Sequence, residues 1–166
     1  MKKVIVIGCP GSGKSTFSRA LHEKTGIPLH HLDRMSWNAD RTKVDRAVFQ
    51  SRLNAVLRQD TWILDGNYRR TMALRMQACD TVFFLDFPFE VCLEGVRARC
   101  GTKHPDLPWT EPEDESDPEF LAFIAGFREE QRPDILALLE QYADRQVHIL
   151  TSREQADAFL HELRND

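Results

Sequence analysis

Val4-Ile5-Val6-Ile7-Gly8-Cys9-Pro10-Gly11-Ser12-Gly13-Lys14-Ser15-Thr16 is the stretch that decides the fold. Four consecutive β-branched residues read as a short strand buried on both faces. Gly8, Gly13, Lys14 and Ser15 then fill the template G-x-x-x-x-G-K-[ST]. Beyond Gly13, Phe17, Ala20 and Leu21 recur at helical spacing, so the loop joins a strand to a helix. At average composition the pattern arises at roughly one position in 30,000, too rarely to be set aside as chance.

The residue types follow from what a polyphosphate needs. Gly8, Gly11 and Gly13 remove Cβ atoms and admit positive φ, so successive amides can turn inward as an anion nest, with Pro10 and Ser12 between them. A helix opening at Gly13 aims its unpaired N–H groups and positive dipole end at the same point. Lys14 is expected to reach the β- and γ-phosphates, Ser15 to ligate Mg²⁺, and Thr16 to add a hydroxyl contact.

Outward from that loop, composition sets limits. A chain of 166 residues is the size of one domain, and 42% hydrophobic with 29% charged residues is ordinary for a globular protein. A net charge of −4 supplies no broad attraction to nucleic acid. The opening Met1-Lys2-Lys3 and its four apolar followers are too short for a signal peptide, and no run approaches membrane-spanning length. Cys9, Cys79, Cys92 and Cys100 lack C-x-x-C spacing, so reduced thiols and a cytoplasmic location are expected.

Strand-like runs alternate with helical stripes along the chain. Leu29 to Asp33, Trp62 to Asp65, Val82 to Asp86 and Val147 to Leu150 follow the first strand. Between them lie helical patterns, including Val48, Phe49, Leu53, Val56 and Leu57 within an acceptor-side segment, 33–60. Pro88 suits the first turn of the helix running to Cys100. Ser152 with Gln155 makes a capping box for the last helix. The alternation predicts one domain over 1–166: a three-layer α/β/α P-loop fold with a five-stranded parallel sheet.

One segment breaks the rhythm. Thr102 to Glu119 holds four prolines and seven acidic residues against one lysine, a net charge of −6 with histidine neutral. Composition predicts a mobile loop, and region 101–132 is expected to act as a lid over phosphates. Asp117 is expected to cap a helix carrying Phe120, Phe123, Ile124 and Phe127, broken before Pro133. Arginines bracket the loop: Arg97 and Arg99 before it, and Arg128 and Arg132, four apart on one expected helix face, after it. Guanidinium forks suit the charge that spreads over a moving phosphoryl group.

Acidic residues close three strands. Asp33 is expected on the acceptor side and in catalysis, Asp65 beside Ser15 in the Mg²⁺ shell and at the substrate, and Asp86 as a helix cap. His30 and His31 lack partners at ligand spacing, so structural roles are expected for them.

Trp62-Ile63-Leu64-Asp65-Gly66-Asn67-Tyr68-Arg69-Arg70-Thr71 resembles the strand and loop of adenylate kinases, whose loop reads D-G-F-P-R-T. The runs His31-Leu32-Asp33, Asp65-Gly66-Asn67-Tyr68 and Phe127-Arg128 through Arg132-Pro133 resemble more closely the bacterial DNA topology modulation proteins, an adenylate-kinase-related family. That resemblance implies a nucleoside-monophosphate-kinase-like fold using ATP or GTP with Mg²⁺. It also implies that Asn67 faces substrate and that Arg69 or Arg70, with Arg70 favoured, holds an acceptor phosphate. Two functions remain open at this point. One is phosphoryl transfer from ATP to a nucleotide or other small acceptor, by a monomer or homodimer. The other is a nucleotide-switched regulator of DNA topology or transcription with slow hydrolysis.

Overall fold

The computed structural model describes residues 1–38, 40, 42–102 and 118–163. Five strands are present: β1 (Lys3–Gly8), β2 (Leu29–His31), β3 (Trp62–Asp65), β4 (Thr81–Leu85) and β5 (Gln146–Leu150). They form one all-parallel sheet in the order β2-β3-β1-β4-β5. Every residue of β3 and β4 is buried, as is β1 after Lys3, so the central strands are covered on both faces. Edge strand β5 is partly exposed.

Helices flank this sheet: α1 (Lys14–Thr25), α2 (Leu32–Ser36), α3 (Arg46–Leu57), α4 (Arg69–Ala78), α5 (Phe89–Arg99), α6 (Pro118–Glu130), α7 (Arg132–Gln141) and α8 (Arg153–Glu162). Phe83 of β4 lies 5.0 Å from the Phe17 ring of α1 and 4.9 Å from Phe159 of α8, centroid to centroid, which ties both helices to the sheet. β1 connects outward to β2 on one flank, whereas β3 connects to β4 on the other. A crevice at the carboxyl ends of such a sheet is where ligands bind in this architecture.

The structure corrects four local expectations. β2 ends at His31, two residues early, because Leu32, Met35 and Ser36 are buried at helical spacing and draw Asp33 into the first turn of α2. Pro88 is the residue preceding α5 rather than its first turn, and no side chain caps that helix; Asp86 pairs with Arg132 instead. Arg128 and Arg132 do not share a helix face, since α6 ends at Glu130 and α7 begins at Arg132. That break does fall before Pro133. The lid segment from 103 to 117, with the expected Asp117 cap, lies outside the described residues. Ser152 accepts from Gln155 N at 3.2 Å, while Gln155 reaches back to Thr151 N at 2.8 Å, one residue beyond the usual capping-box partner.

Asp80 fastens the start of the chain. Its carboxylate accepts from the amides of Lys2 (2.9 Å) and Lys3 (3.0 Å) and from the Thr81 hydroxyl (2.6 Å). Partial burial pushes its pKa up, but Thr81 and the two amides outweigh burial and hold it below the usual value. The stability it contributes is therefore complete above the ordinary aspartate pKa of about 3.9 and is lost as pH falls through the lower folded value. Asp80→Asn should flatten the acid limb of a melting-temperature profile below about pH 4. An unaltered limb would show that Asp80 contributes nothing there.

Candidate active site

The loop between β1 and α1 has the geometry of an anion nest. Gly11 (φ 80°) and Gly13 (φ 89°) are left-handed, and Ser12 N donates to Cys9 O at 3.1 Å. Gly13 caps α1 with no side chain, which leaves the first-turn amides for a ligand. A Cβ on Gly11 would sit 2.0 Å from the Cys92 carbonyl oxygen, so the loop is pressed directly onto α5. Gly8 lies buried beneath, at the end of β1.

Lys14 lies over this loop, its Nζ donating to Gly8 O (3.0 Å) and Cys9 O (3.1 Å). Burial pulls its pKa below the usual lysine value, while the negative charges of Asp65 and Asp33 oppose that fall. Both carboxylates thus lie within electrostatic reach of the one ammonium. The Cys9 thiol is pushed up by its hydrogen bond with Cys92 and by burial, so it is less nucleophilic than an ordinary cysteine.

A cleft of about 860 Å³ opens above the loop, within the range of small-molecule sites. Its walls include Pro10, Gly11, Gly13, Lys14, Ser15 and Thr16, as expected for the nest. From the β2–β3 side come Asp33, Gly66, Asn67 and Tyr68; from the β4–β5 side come Glu94, Gly95, Arg99 and Arg153.

On the β2–β3 side, Asp33 is exposed and accepts from the Tyr68 hydroxyl at 2.7 Å. Ser36 Oγ meets the same hydroxyl at 2.5 Å. Burial, followed by the charge of Asp33, pushes the Tyr68 pKa up, so the phenol stays protonated and donates. Tyr68 has φ 35°, a costly conformation for a bulky residue, and stacks on Phe49 with ring centroids 5.5 Å apart. The loop is held by Arg75, which is fully buried. Its guanidinium donates to Gly66 O (2.9 Å), to Asn67 O and to Tyr68 O (3.3 Å). Desolvation lowers its pKa to about 10, still high enough to keep it charged at neutral pH.

Asn67 is turned onto the main chain. Gly8 N donates to its Oδ1 (3.0 Å) and its Nδ2 donates to Gly8 O (2.7 Å), so both ends of the amide brace the phosphate loop. Asp65 is buried, and both its oxygens lie 2.9 Å from His31 Nδ1. A carboxylate only accepts, so Nδ1 carries the proton in that pair.

The arginines scatter more than their spacing suggests. Arg99 and Arg153 reach the cleft wall, and Arg153 Nη2 donates to Val91 O at 3.3 Å and Gly11 O at 3.5 Å. Arg132 Nε donates to both Asp86 oxygens at 2.9 Å. Arg97, Arg128 and Arg70 are exposed and outside the cleft wall, and Arg69 pairs with Asp134. Sequence reasoning missed Arg75, Tyr68, Arg153 and the His31–Asp65 pair. Of these, His31 and Tyr68 stand in the runs that carry the family resemblance, while Arg75 and Arg153 left no signal.

The loop and the sheet define the architecture: a P-loop α/β fold, nucleoside-monophosphate-kinase-like in its layers and strand order. No family model matches the chain, and no curated protein matches it. Among solved structures, the shikimate kinase from Bacteroides thetaiotaomicron is similar in fold, with a TM-score of 0.58 at 18% identity. The match covers 96% of this chain and 94% of that one. At that identity the likeness concerns architecture alone. Among the described residues, no helix is long and apolar enough to cross a membrane.

Proposed function

We propose that the protein is an ATP- or GTP-dependent phosphotransferase that passes the γ-phosphoryl group to a hydroxyl of a small acceptor. The observation that carries the reading is the convergence of Asp33, set by Tyr68, and Lys14, set over the nest, on one cleft. A hydrolytic switch needs the nest and a carboxylate for Mg²⁺, a place Asp65 could take, but no second carboxylate such as Asp33 on the facing wall.

In this reading the nest and the α1 N-terminus hold the polyphosphate. Lys14 and Arg99 offset charge on the transferring group. Asp33 accepts the acceptor's hydroxyl proton as its oxygen attacks phosphorus, and Tyr68 fixes the carboxylate's direction. Arg132 would act through its hold on Asp86. Ser15, on the cleft wall, would hold Mg²⁺, while Asp65, buried against His31 and off that wall, would act on the ion's water shell with His31 orienting it. Among the described residues no group of three or more His, Cys, Asp or Glu is arranged for a metal. When bound, Mg²⁺ would supply positive charge that offsets the charge on the phosphates. The protein would work in the cytoplasm on nucleotide and a small acceptor.

Asp33→Asn tests this. With whichever nucleoside, nucleoside monophosphate or small sugar drives ADP release fastest, turnover should fall at least about 100-fold. The rise in melting temperature given by Mg²⁺-ATP should persist. Turnover within about threefold of the parent would contradict the role of Asp33.

A further inference from the structure

We infer that the acceptor is an uncharged or cationic hydroxyl compound, not a phosphate monoester or a carboxylate; this rests on the phosphotransferase reading above. Sheet order divides the cleft. The residues that follow β4 and β5 bring Arg99 and Arg153 to its wall with one carboxylate, Glu94, and α1 brings Lys14 and Arg19. The residues that follow β2 and β3 bring one charged group, the carboxylate of Asp33. Among the described residues, no lysine or arginine lines that side.

Other arginines are nearby, but among the described residues none is placed to grip an acceptor anion. Arg75 is buried against the carbonyls of 66–68. Arg52 Nη1 donates to Met35 O at 3.2 Å. Arg69 opens onto a side chamber of about 250 Å³, shared at Asn67, Tyr68 and Phe123, and is paired with Asp134. Arg34 and Arg70 are exposed and off the wall.

Recognition of a phosphate or carboxylate calls for a guanidinium fork or an ammonium at the anion. Here an anionic acceptor would meet the carboxylate of Asp33, and like charges at that range repel. A hydroxyl suits Asp33 as a proton donor, and an amine suits it as a cation. Phe120 and Phe123 on the same cleft give the apolar part of such a molecule a surface to lie on. Among the described residues the distribution of charge thus places the cationic wall on the nucleotide side.

Matched pairs test the inference with Mg²⁺-ATP and ADP release as the readout: adenosine against AMP, thymidine against TMP, glucosamine against glucosamine 6-phosphate. The fastest substrate should be an uncharged or amino member, with kcat/KM at least tenfold above its phosphorylated partner. Parity within the best pair, or a phosphorylated member ahead, overturns the inference while leaving phosphotransfer standing. ADP release unmoved by every member rejects phosphotransfer itself, and the inference with it.

Discussion

Arg75→Met is expected to lower the unfolding free energy by about 3–4 kcal/mol, a large share of the stability of a domain this size. The guanidinium is fully buried and its acceptors are the carbonyls of Gly66, Asn67 and Tyr68 with the Thr71 hydroxyl. Tyr68 O keeps Thr71 N at 2.9 Å after the change, but Gly66 O and Asn67 O lose the guanidinium inside the protein. Each such loss costs about 1–3 kcal/mol. Methionine fills much of the volume and offers no donor. Arg75→Lys should recover only part of the loss, because one ammonium cannot span the set that the planar fork reaches. The effect should extend to the site: with its carbonyl brace gone, Tyr68 can leave its left-handed conformation and Asp33 loses its partner. Chemical denaturation of both variants measures this. A loss below about 1 kcal/mol for Arg75→Met would show that the loop does not depend on the guanidinium.

Gly95→Ala should destabilise by about 3 kcal/mol, against the ordinary gain of up to about 1 kcal/mol for that exchange in a helix. A Cβ at Gly95 would fall 2.0 Å from Gly11 O and 2.9 Å from its carbonyl carbon, both backbone atoms of the phosphate loop. Neither can yield without moving the nest, so nucleotide binding should weaken along with stability. Gly126→Ala in α6 is the matched control. There the new Cβ meets only the mobile end of Glu130, 3.0 Å away, and stability should hold or rise. Thermal melts of the two variants should move in opposite directions. A Gly95→Ala protein as stable as the parent would mean that α5 and the loop are not in the contact described.

What could be read from the chain was local. The phosphate loop is contiguous, its residues have one strict physical job, and strand and helix patterns flank it. The break before Pro133 and the Ser152 cap are likewise local, set by a missing amide donor and a side-chain acceptor. Contacts across the sheet were not legible. His31 meets Asp65 because β2 and β3 pair in parallel with those residues opposite each other, a register that no short stretch specifies. Asp86 looks like a cap until Arg132, 46 positions away, is brought to it. Arg75 reads as one more polar helix residue, and only the folded loop shows why it is buried. Asn67 sits in the loop that resembles adenylate kinases, yet its amide is committed to Gly8.

The nest of amides under Lys14 is the claim on which the site depends, and melting temperature with and without Mg²⁺-ATP tests it most directly. At a nucleotide concentration of about 100 times the dissociation constant, binding to the native state adds about 2.7 kcal/mol. The parent protein should therefore melt several degrees higher, and Lys14→Ala should show no such rise at the same concentration. An equal rise in both proteins would contradict the assignment of this loop as the phosphate site.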